Sequence, residues 1–235
     1  MQAIRHRGPN LGALAIVYTV LFIAGLCAVS GFGMPFGVKP PWFPGPWEPA
    51  SVITSYFQGH PARVLFCACL QFGAMIPLGI YTATMVSRLR FLGVSAAGPY
   101  IALFGGFLTV FDSSVSHLVM WTMTRPDIAQ NASVLPSLYF LCYAFGGPGF
   151  SVPMGLLIAG VSVVAAFRRL LPRWIIVFGL LLAAAGELSW LNLPLFPKFL
   201  FLIPLTRFPG FIWLIAAGFA LPVARRSVPG ELAEA

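Results

Sequence analysis

The chain has 235 residues, of which 59% are hydrophobic and only 9% charged, and 22 are phenylalanine. This composition excludes an ordinary water-soluble domain and indicates a protein whose solvent is largely lipid. The formal net charge of +8 does not indicate nucleic-acid binding, because the basic residues stand singly or in pairs beside apolar runs and form no stripe with interleaved aromatic residues.

Six apolar segments are long enough to cross a membrane. A transmembrane helix needs roughly 20 residues to cross a hydrocarbon core of about 30 Å. In chain order, the predicted passes cover residues 11–32, 64–86, 100–123, 135–167, 174–193 and 199–223. We therefore predict an all-α membrane protein, with residues 1–235 forming a single domain built as a bundle of about six transmembrane helices.

The distribution of arginine and lysine predicts the orientation of this bundle. The alternate connections on one side carry nine basic residues, and those on the other side carry five. By the positive-inside rule, both termini then lie in the cytoplasm. The opposite side carries a long loop over residues 33–62, rich in proline and tryptophan, which we expect to lie at the level of the lipid headgroups.

The fourth pass is too long for one straight helix. It contains a glycine and proline cluster at residues 146–149, followed by Pro153, and we predict a kink or a break there. The alternative is that glycine and proline are simply common in membrane helices.

The polar side chains of the passes fall at a similar depth. At about 1.5 Å per residue, they crowd the outer half of the membrane. They are Gln71, Asp112, His117, Tyr139, Tyr143, Glu187 and Arg207. Ionisable residues at membrane depth usually mark ligand or ion sites, so these seven side chains predict an outward-facing polar pocket within the membrane.

Helical spacing divides the polar residues of the third pass between two faces. Ser113 and His117 are four residues apart and share a face, as do Asp112 and Ser116. Asp112 and His117 are about 140° apart around the axis. Each of them therefore needs a partner from another helix.

Few partners are available for these groups. We expect Arg207 to form an ion pair with Asp112 or Glu187, and His117 to bond a tyrosine hydroxyl or Gln71. The alternative to a ligand pocket is that such an ion pair merely locks two helices together.

No cofactor is identified by the sequence. Haem binding by two histidines would require His60 and His117 to face each other. A zinc site from His117, Asp112 and Glu187 has suitable ligand types but no spacing signature such as H-E-x-x-H.

Catalytic motifs are likewise missing from the sequence. No nucleophile elbow, phosphate loop or dinucleotide fingerprint is present. Ser113, Ser114 and Ser116 could supply a nucleophile to an intramembrane enzyme, but membrane serines usually bond a neighbouring helix.

Three sequence blocks resemble a family of bacterial multi-pass inner-membrane proteins that has no agreed activity. They are QFGAMIPLGIYTATMVSRLRFLGV, GGPGFSVPMGLLIAG with the later LPRW, and RFPGFIWLIAAGFALP. The resemblance implies a bacterial cytoplasmic membrane and about six helices. It draws attention to Arg90, Gly147, Pro148 and Arg207, which match its blocks.

Our leading hypothesis is a membrane protein whose pocket binds a small molecule, lipid or ion for transport or sensing. A hypothesis from a different class is an accessory or structural subunit that packs against a larger membrane complex. An intramembrane enzyme and a haem protein are further alternatives. The predicted partners are the lipid bilayer, a ligand of the pocket, and either partner subunits or further copies of the chain.

Overall fold

The computed structural model describes residues 3–30 and 42–226, and within these ranges the chain is almost entirely helical. The helices are α1 (Leu11–Ser30), α2 (Ala50–Gly59), α3 (Pro61–Phe91), α4 (Gly98–Thr122), α5 (Pro126–Ala129), α6 (Leu135–Gly146), α7 (Pro148–Arg168), α8 (Arg173–Leu188) and α9 (Leu202–Ala220). A short 3-10 helix, Ser189–Asn192, continues α8.

The prediction of an all-α bundle with six membrane-crossing helices is confirmed. Six helical stretches of the described residues are long and apolar enough to cross a membrane: Leu11–Ser30, Pro61–Phe91, Gly98–Thr122, Leu135–Arg168, Arg173–Asn192 and Leu202–Ala220. Large apolar side chains such as Phe104 and Phe111 point outward, 59% and 60% exposed, as lipid-facing residues should.

The second crossing helix is longer than the predicted segment 64–86. Helix α3 has 31 residues, or about 46 Å at 1.5 Å per residue, which exceeds the hydrocarbon core of about 30 Å. The charges of Arg88 and Arg90 end the apolar run but not the helix, because basic side chains in the last turn interact favourably with the helix dipole.

Part of the predicted loop over residues 33–62 is helical. Helix α2 lies there, and its buried residues Ile53, Tyr56 and Phe57 follow the i, i+3, i+4 spacing of an amphipathic helix. The prolines and tryptophans around it dominate the composition and hide this short pattern. Residues 33–41 of the predicted loop lie outside the described ranges.

The predicted fourth pass consists of two helices that meet at Gly147. This residue has φ −93° and ψ −100°, between the end of α6 and the start of α7. A Cβ atom at Gly147 would lie 2.7 Å from the carbonyl oxygen of Tyr143, so a larger residue does not fit this junction. Pro148 then occupies the first position of α7, where its missing N–H is not needed.

Helix α4 lies at the centre of the bundle and packs against α3, α6 and α7. Helix α1 packs against α3 and α9, and α8 packs against α7 and α9. Glycines bring α4 and α7 close together: a Cβ at Gly105 would lie 2.5 Å from the Pro153 carbonyl oxygen, and one at Gly160 would lie 2.5 Å from that of Gly98. Such small residues allow membrane helices to approach closely.

The two ends of the bundle differ in structure. At one end, which we call the terminal end, strands β1 (Ala3–Arg5) and β2 (Ala224–Arg226) pair antiparallel and bring the first and last described residues together. The other end, which we call the cap end, carries α2 and the cap segment, residues 42–49. The assignment of the terminal end to the cytoplasm stays a prediction.

A polar cavity beside the helix break

A cavity of about 230 Å³ lies near the cap end of the bundle. Five of the seven predicted site residues line it: Gln71, His117, Tyr139, Tyr143 and Arg207. We call it the break cavity, because Gly146 and Gly147 at the junction of α6 and α7 form part of its wall.

The break cavity separates two apolar clusters. Phe22 and Phe150 belong to the larger cluster, which fills the bundle toward the terminal end. Tyr139 and Cys142 belong to a smaller cluster at the cap end. Polar atoms are thus held between two apolar layers, where electrostatic interactions are stronger than in water.

Arg207 is the one arginine or lysine among the described lining of the cavity. Its Nη2 donates a hydrogen bond to the carbonyl oxygen of Gly146. The guanidinium carbon lies 4.2 Å from the ring centroid of Phe150 and 5.2 Å from that of Phe22. Its Nε is buried and has no hydrogen-bond partner. The cation is therefore held by a backbone dipole and two aromatic faces.

The expected ion pair of Arg207 with Asp112 or Glu187 is wrong for the described part of the chain. The guanidinium turns to the end of α6 instead, because the last carbonyl groups of a helix have no partner within that helix. The break supplies such a carbonyl at Gly146. Sequence spacing could not reveal it, since every residue carries the same backbone group.

His117 and Gln71 line the cavity without bonding each other. His117 is 6% exposed, and its Nδ1 is buried without a hydrogen-bond partner. Gln71 is 5% exposed and donates from Nε2 to the carbonyl oxygen of Phe22 at 3.3 Å. The expected partners of His117, a tyrosine hydroxyl or Gln71, are not its partners among the described residues.

Two tyrosines lie on the α6 side of the cavity. The Tyr143 hydroxyl is buried without a hydrogen-bond partner, and its ring packs against Phe196 at 5.8 Å between centroids. The Tyr139 hydroxyl donates to the carbonyl oxygen of Pro44. Tyr139 therefore ties α6 to the cap segment.

The cap segment covers the cavity. Phe43, Pro44 and Pro46 are part of its lining. The Phe43 ring packs against Tyr56 and Tyr139, with centroids 5.4 and 5.9 Å apart. The sequence indicated a proline-rich and tryptophan-rich cap but gave no sign that Phe43 and Pro44 would enter the site, because the chain has 22 phenylalanines and 21 prolines.

Asp112 lies on the other side of the helix break. It lines a separate groove of about 380 Å³ with Ala144, Pro148, Gly149 and Trp190. Asp112 and His117 thus occupy different faces of α4, as their spacing predicts. Ser116 lines the break cavity, and Asp112 and Ser116 both approach the α6–α7 junction, at Gly149 and Gly146 respectively, as residues four apart on one side of a helix do.

Glu187 belongs to neither hollow. Its Oε1 is buried without a hydrogen-bond partner, and a Cβ at Gly155 would lie 3.1 Å from that atom. Glu187 therefore lies at the contact between α7 and α8. A similar depth in the membrane was not enough to place it beside Arg207.

Metal and haem chemistry find little support in the geometry. In residues 3–30 and 42–226, no three His, Cys, Asp or Glu side chains are grouped to hold a metal ion. His60 stacks on Tyr56 at 4.9 Å between ring centroids and bonds its carbonyl oxygen. His117 lines the break cavity beside Phe22, 6.3 Å away between centroids.

Comparison with protein-family models, curated proteins and solved structures gives no match to this chain. The fold and its six apolar crossing helices define a multi-pass helical membrane protein whose partner is the lipid bilayer. Any more particular function has to be argued from the cavity itself.

Proposed function

We propose that the break cavity binds a small anion, or the anionic group of a small molecule, as the ligand of a transporter or sensor. The observation that carries this proposal is Arg207, a cation in the cavity wall with no carboxylate among the described lining residues. The acidic residue of the cap segment, Glu48, is not part of that lining.

The electrostatic argument rests on the cost of burying a charge. A buried cation is costly unless an opposite charge or several hydrogen bonds compensate it. The Gly146 carbonyl supplies one hydrogen bond, and cation–π contacts with two rings add roughly 0.5–2 kcal/mol each. A guanidinium has five N–H donors, so an anion would complete its coordination.

Three buried polar atoms in the side chains that line the cavity also support the proposal. Buried polar atoms are normally hydrogen-bonded, and each exception requires an explanation. Arg207 Nε, His117 Nδ1 and the Tyr143 hydroxyl are all buried without a partner, and all three residues line this cavity. A ligand that accepts hydrogen bonds would satisfy the arginine and the tyrosine together.

The volume limits the size of the ligand. About 230 Å³ is the space of roughly eight water molecules at about 30 Å³ each. Sites for drug-sized ligands are larger, about 300–1,000 Å³. The cavity suits a small carboxylate, phosphate or sulfate group.

The surroundings suit transport or sensing. Toward the terminal end lies the larger apolar cluster, in which Phe150, Met154 and Phe211 are 0%, 0% and 4% exposed. Toward the cap end, Phe43, Pro44 and Pro46 of the cap segment cover it. A broken helix beside a ligand is a common feature of transporters, and Gly147 offers a place where α6 could move relative to α7.

The test is thermal unfolding of purified protein with acetate, inorganic phosphate and sulfate at matched ionic strength. We expect at least one anion to raise the midpoint for the native chain and not for Arg207→Gln. Arg125→Gln is the matched control, because Arg125 also packs over an aromatic ring, that of Trp121 at 5.5 Å, but lies outside the cavity. Equal responses in the native chain and Arg207→Gln would contradict the proposal.

The accessory-subunit hypothesis makes a different prediction. A subunit leaves the membrane with stoichiometric partner chains, whereas a ligand-binding protein is well behaved alone or as a homo-oligomer. Native mass spectrometry after gentle extraction separates the two outcomes.

A further inference from the structure

A second cavity lies at the terminal end of the bundle, far from the helix break in the fold. It has a volume of about 240 Å³ and lies where the last turn of α3 meets both chain termini. Its lining includes Arg5, His6, Asn10, Arg88 and Val223. We call it the terminal pocket.

Arg88 is the central group of the terminal pocket. It is only 3% exposed, which is unusual for an arginine at the end of a helix. Its Nη2 donates to the Pro9 carbonyl oxygen at 3.2 Å, and its Nε is buried without a partner. No carboxylate is among the described residues that line the pocket, so within that part of the chain the buried cation has no anion beside it.

His6 offers a further hydrogen-bonding group in the terminal pocket but no charge that would compensate Arg88. Its Nε2 lies 3.0 Å from the Ser87 hydroxyl oxygen, and its Nδ1 is buried without a partner. Burial and the nearby charge of Arg88 lower the pKa of His6, so the ring is neutral at pH 7. Arg5, which is exposed, contributes a second cation at the mouth of the pocket.

The length of α3 places this pocket at the membrane surface. From Pro61 to Arg88 the helix rises about 40 Å at 1.5 Å per residue, more than the hydrocarbon core of about 30 Å. A helix of this length extends beyond the core, and its last turn, with Arg88 and Arg90, is the end suited to the level of lipid headgroups, where basic pockets between helices bind phosphate-bearing lipids.

We propose that the terminal pocket binds a phosphate group, and that its source is the headgroup of an anionic phospholipid. A phosphate oxygen accepts charge-assisted hydrogen bonds from arginine better than from other side chains. Arg88 and Arg5 supply these donors, and the pairing of β1 with β2 holds the wall of the pocket in place. Free inorganic phosphate has the same chemistry and is the alternative source.

The first experiment measures bound lipid by native mass spectrometry of the full chain after reconstitution with equal amounts of phosphatidylglycerol and phosphatidylcholine. We expect preferential retention of phosphatidylglycerol by the native chain and a loss of about tenfold in Arg88→Gln, as removal of one charged hydrogen bond implies. Arg90→Gln is the matched control: Arg90 lies in the same helical turn but is exposed and packs over Tyr100 at 5.2 Å.

Arg5→Gln keeps the test decisive if Arg88→Gln fails to fold. Because Arg5 is exposed, its replacement should leave folding intact, and we expect a loss of at least threefold in retained phosphatidylglycerol. A folded Arg5→Gln protein that retains as much of this lipid as Arg90→Gln would overturn the proposal.

The second experiment identifies the source of the phosphate. Inorganic phosphate is titrated against protein already loaded with phosphatidylglycerol. Retention of the lipid at millimolar phosphate supports the headgroup as the source. Complete displacement there, with no preference for phosphatidylglycerol over phosphatidylcholine, would overturn the lipid assignment in favour of free phosphate. Arg207→Gln should change neither result, so this proposal and that for the break cavity can fail separately.

Discussion

Arg207 and Arg88 both have an incompletely hydrogen-bonded guanidinium group, but the surroundings of the two side chains differ. Each donates to one backbone carbonyl and has a buried Nε without a partner. Arg207 lies between two aromatic rings within the bundle. Arg88 lies beside His6 and both chain termini at the end of a helix that is longer than the membrane is thick.

The comparison teaches that location selects the anion. Within the bundle, the aromatic faces and the small cavity suit an anionic group of a few atoms that enters past the cap segment. The terminal pocket has nearly the same volume, about 240 Å³ against about 230 Å³, and under our proposal it receives a phosphate that stays attached to a lipid beside the exposed Arg5. We therefore propose that the same guanidinium chemistry binds a soluble anion at the cap end and a membrane lipid at the terminal end.

The largest expected effect comes from Arg207→Gln. It should weaken binding of the responsive small anion by about tenfold to a hundredfold, because one charged hydrogen-bonding group contributes roughly 1.5–3 kcal/mol. Without ligand, the variant should unfold at the same temperature as the native chain or a higher one, since an unpaired buried cation is removed. Anion titrations and thermal unfolding measure the two effects.

Asp112→Asn is the control for that experiment, because Asp112 lies in the groove on the other side of the break. It should leave anion affinity unchanged. A loss as large as that of Arg207→Gln would show that the two hollows act as one site.

Gly147→Ala should have the next largest effect. The new Cβ would lie 2.7 Å from the Tyr143 carbonyl oxygen, and overpacking of this kind typically costs about 1–3 kcal/mol. Gly73→Ala is the matched control in a membrane helix, because nothing lies within 4 Å of its Cβ position. Thermal unfolding compares the two, and equal stability would mean that the junction can relax around the methyl group.

Tyr139→Phe should have a smaller effect, confined to the cap end. It removes the hydrogen bond that holds Pro44 over the break cavity, a loss of about 1 kcal/mol. We expect faster release of the bound anion, by about fivefold, with lipid retention in the terminal pocket unchanged. Tyr100→Phe serves as the control, and stopped-flow release kinetics are the measurement.

The smallest expected effect concerns pH at the terminal end. The pKa of His6 is lowered in the folded state by burial and by Arg88, so the unfolded chain binds a proton more readily. The contribution of neutral His6 to the free energy of unfolding is fully present above about pH 6.5, the ordinary pKa of histidine. It is lost as the pH falls below that value. His6→Gln should flatten this part of the thermal-midpoint profile.

A bound phosphate group should change the pH dependence of the thermal midpoint. An anion beside His6 would favour its protonated form, so phosphatidylglycerol should reduce the acid loss relative to phosphatidylcholine. An identical pH profile in both lipids would count against an anion in the terminal pocket. Arg5 and Arg88, the charged residues that line the pocket with His6 in the described part of the chain, are unchanged in the comparison.

The sequence by itself determined the class of the protein and the number of crossing helices. An apolar run of about 20 residues is stable in lipid as a helix, because a helix makes all its backbone hydrogen bonds internally. Depth along each run also brought Gln71, His117, Tyr139, Tyr143 and Arg207 toward a common layer, because rise per residue is fixed.

Only the tertiary structure decided which polar groups meet. Depth fixes one coordinate, while rotation about each helix axis and the interruption at Gly147 fix the others. For that reason Asp112 and Glu187 share the layer but not the cavity, and Arg207 contacts a backbone carbonyl and two phenylalanine rings rather than a carboxylate. Backbone carbonyls and phenylalanine are too common in this chain to be recognised in advance, so packing alone selects Gly146, Phe22 and Phe150.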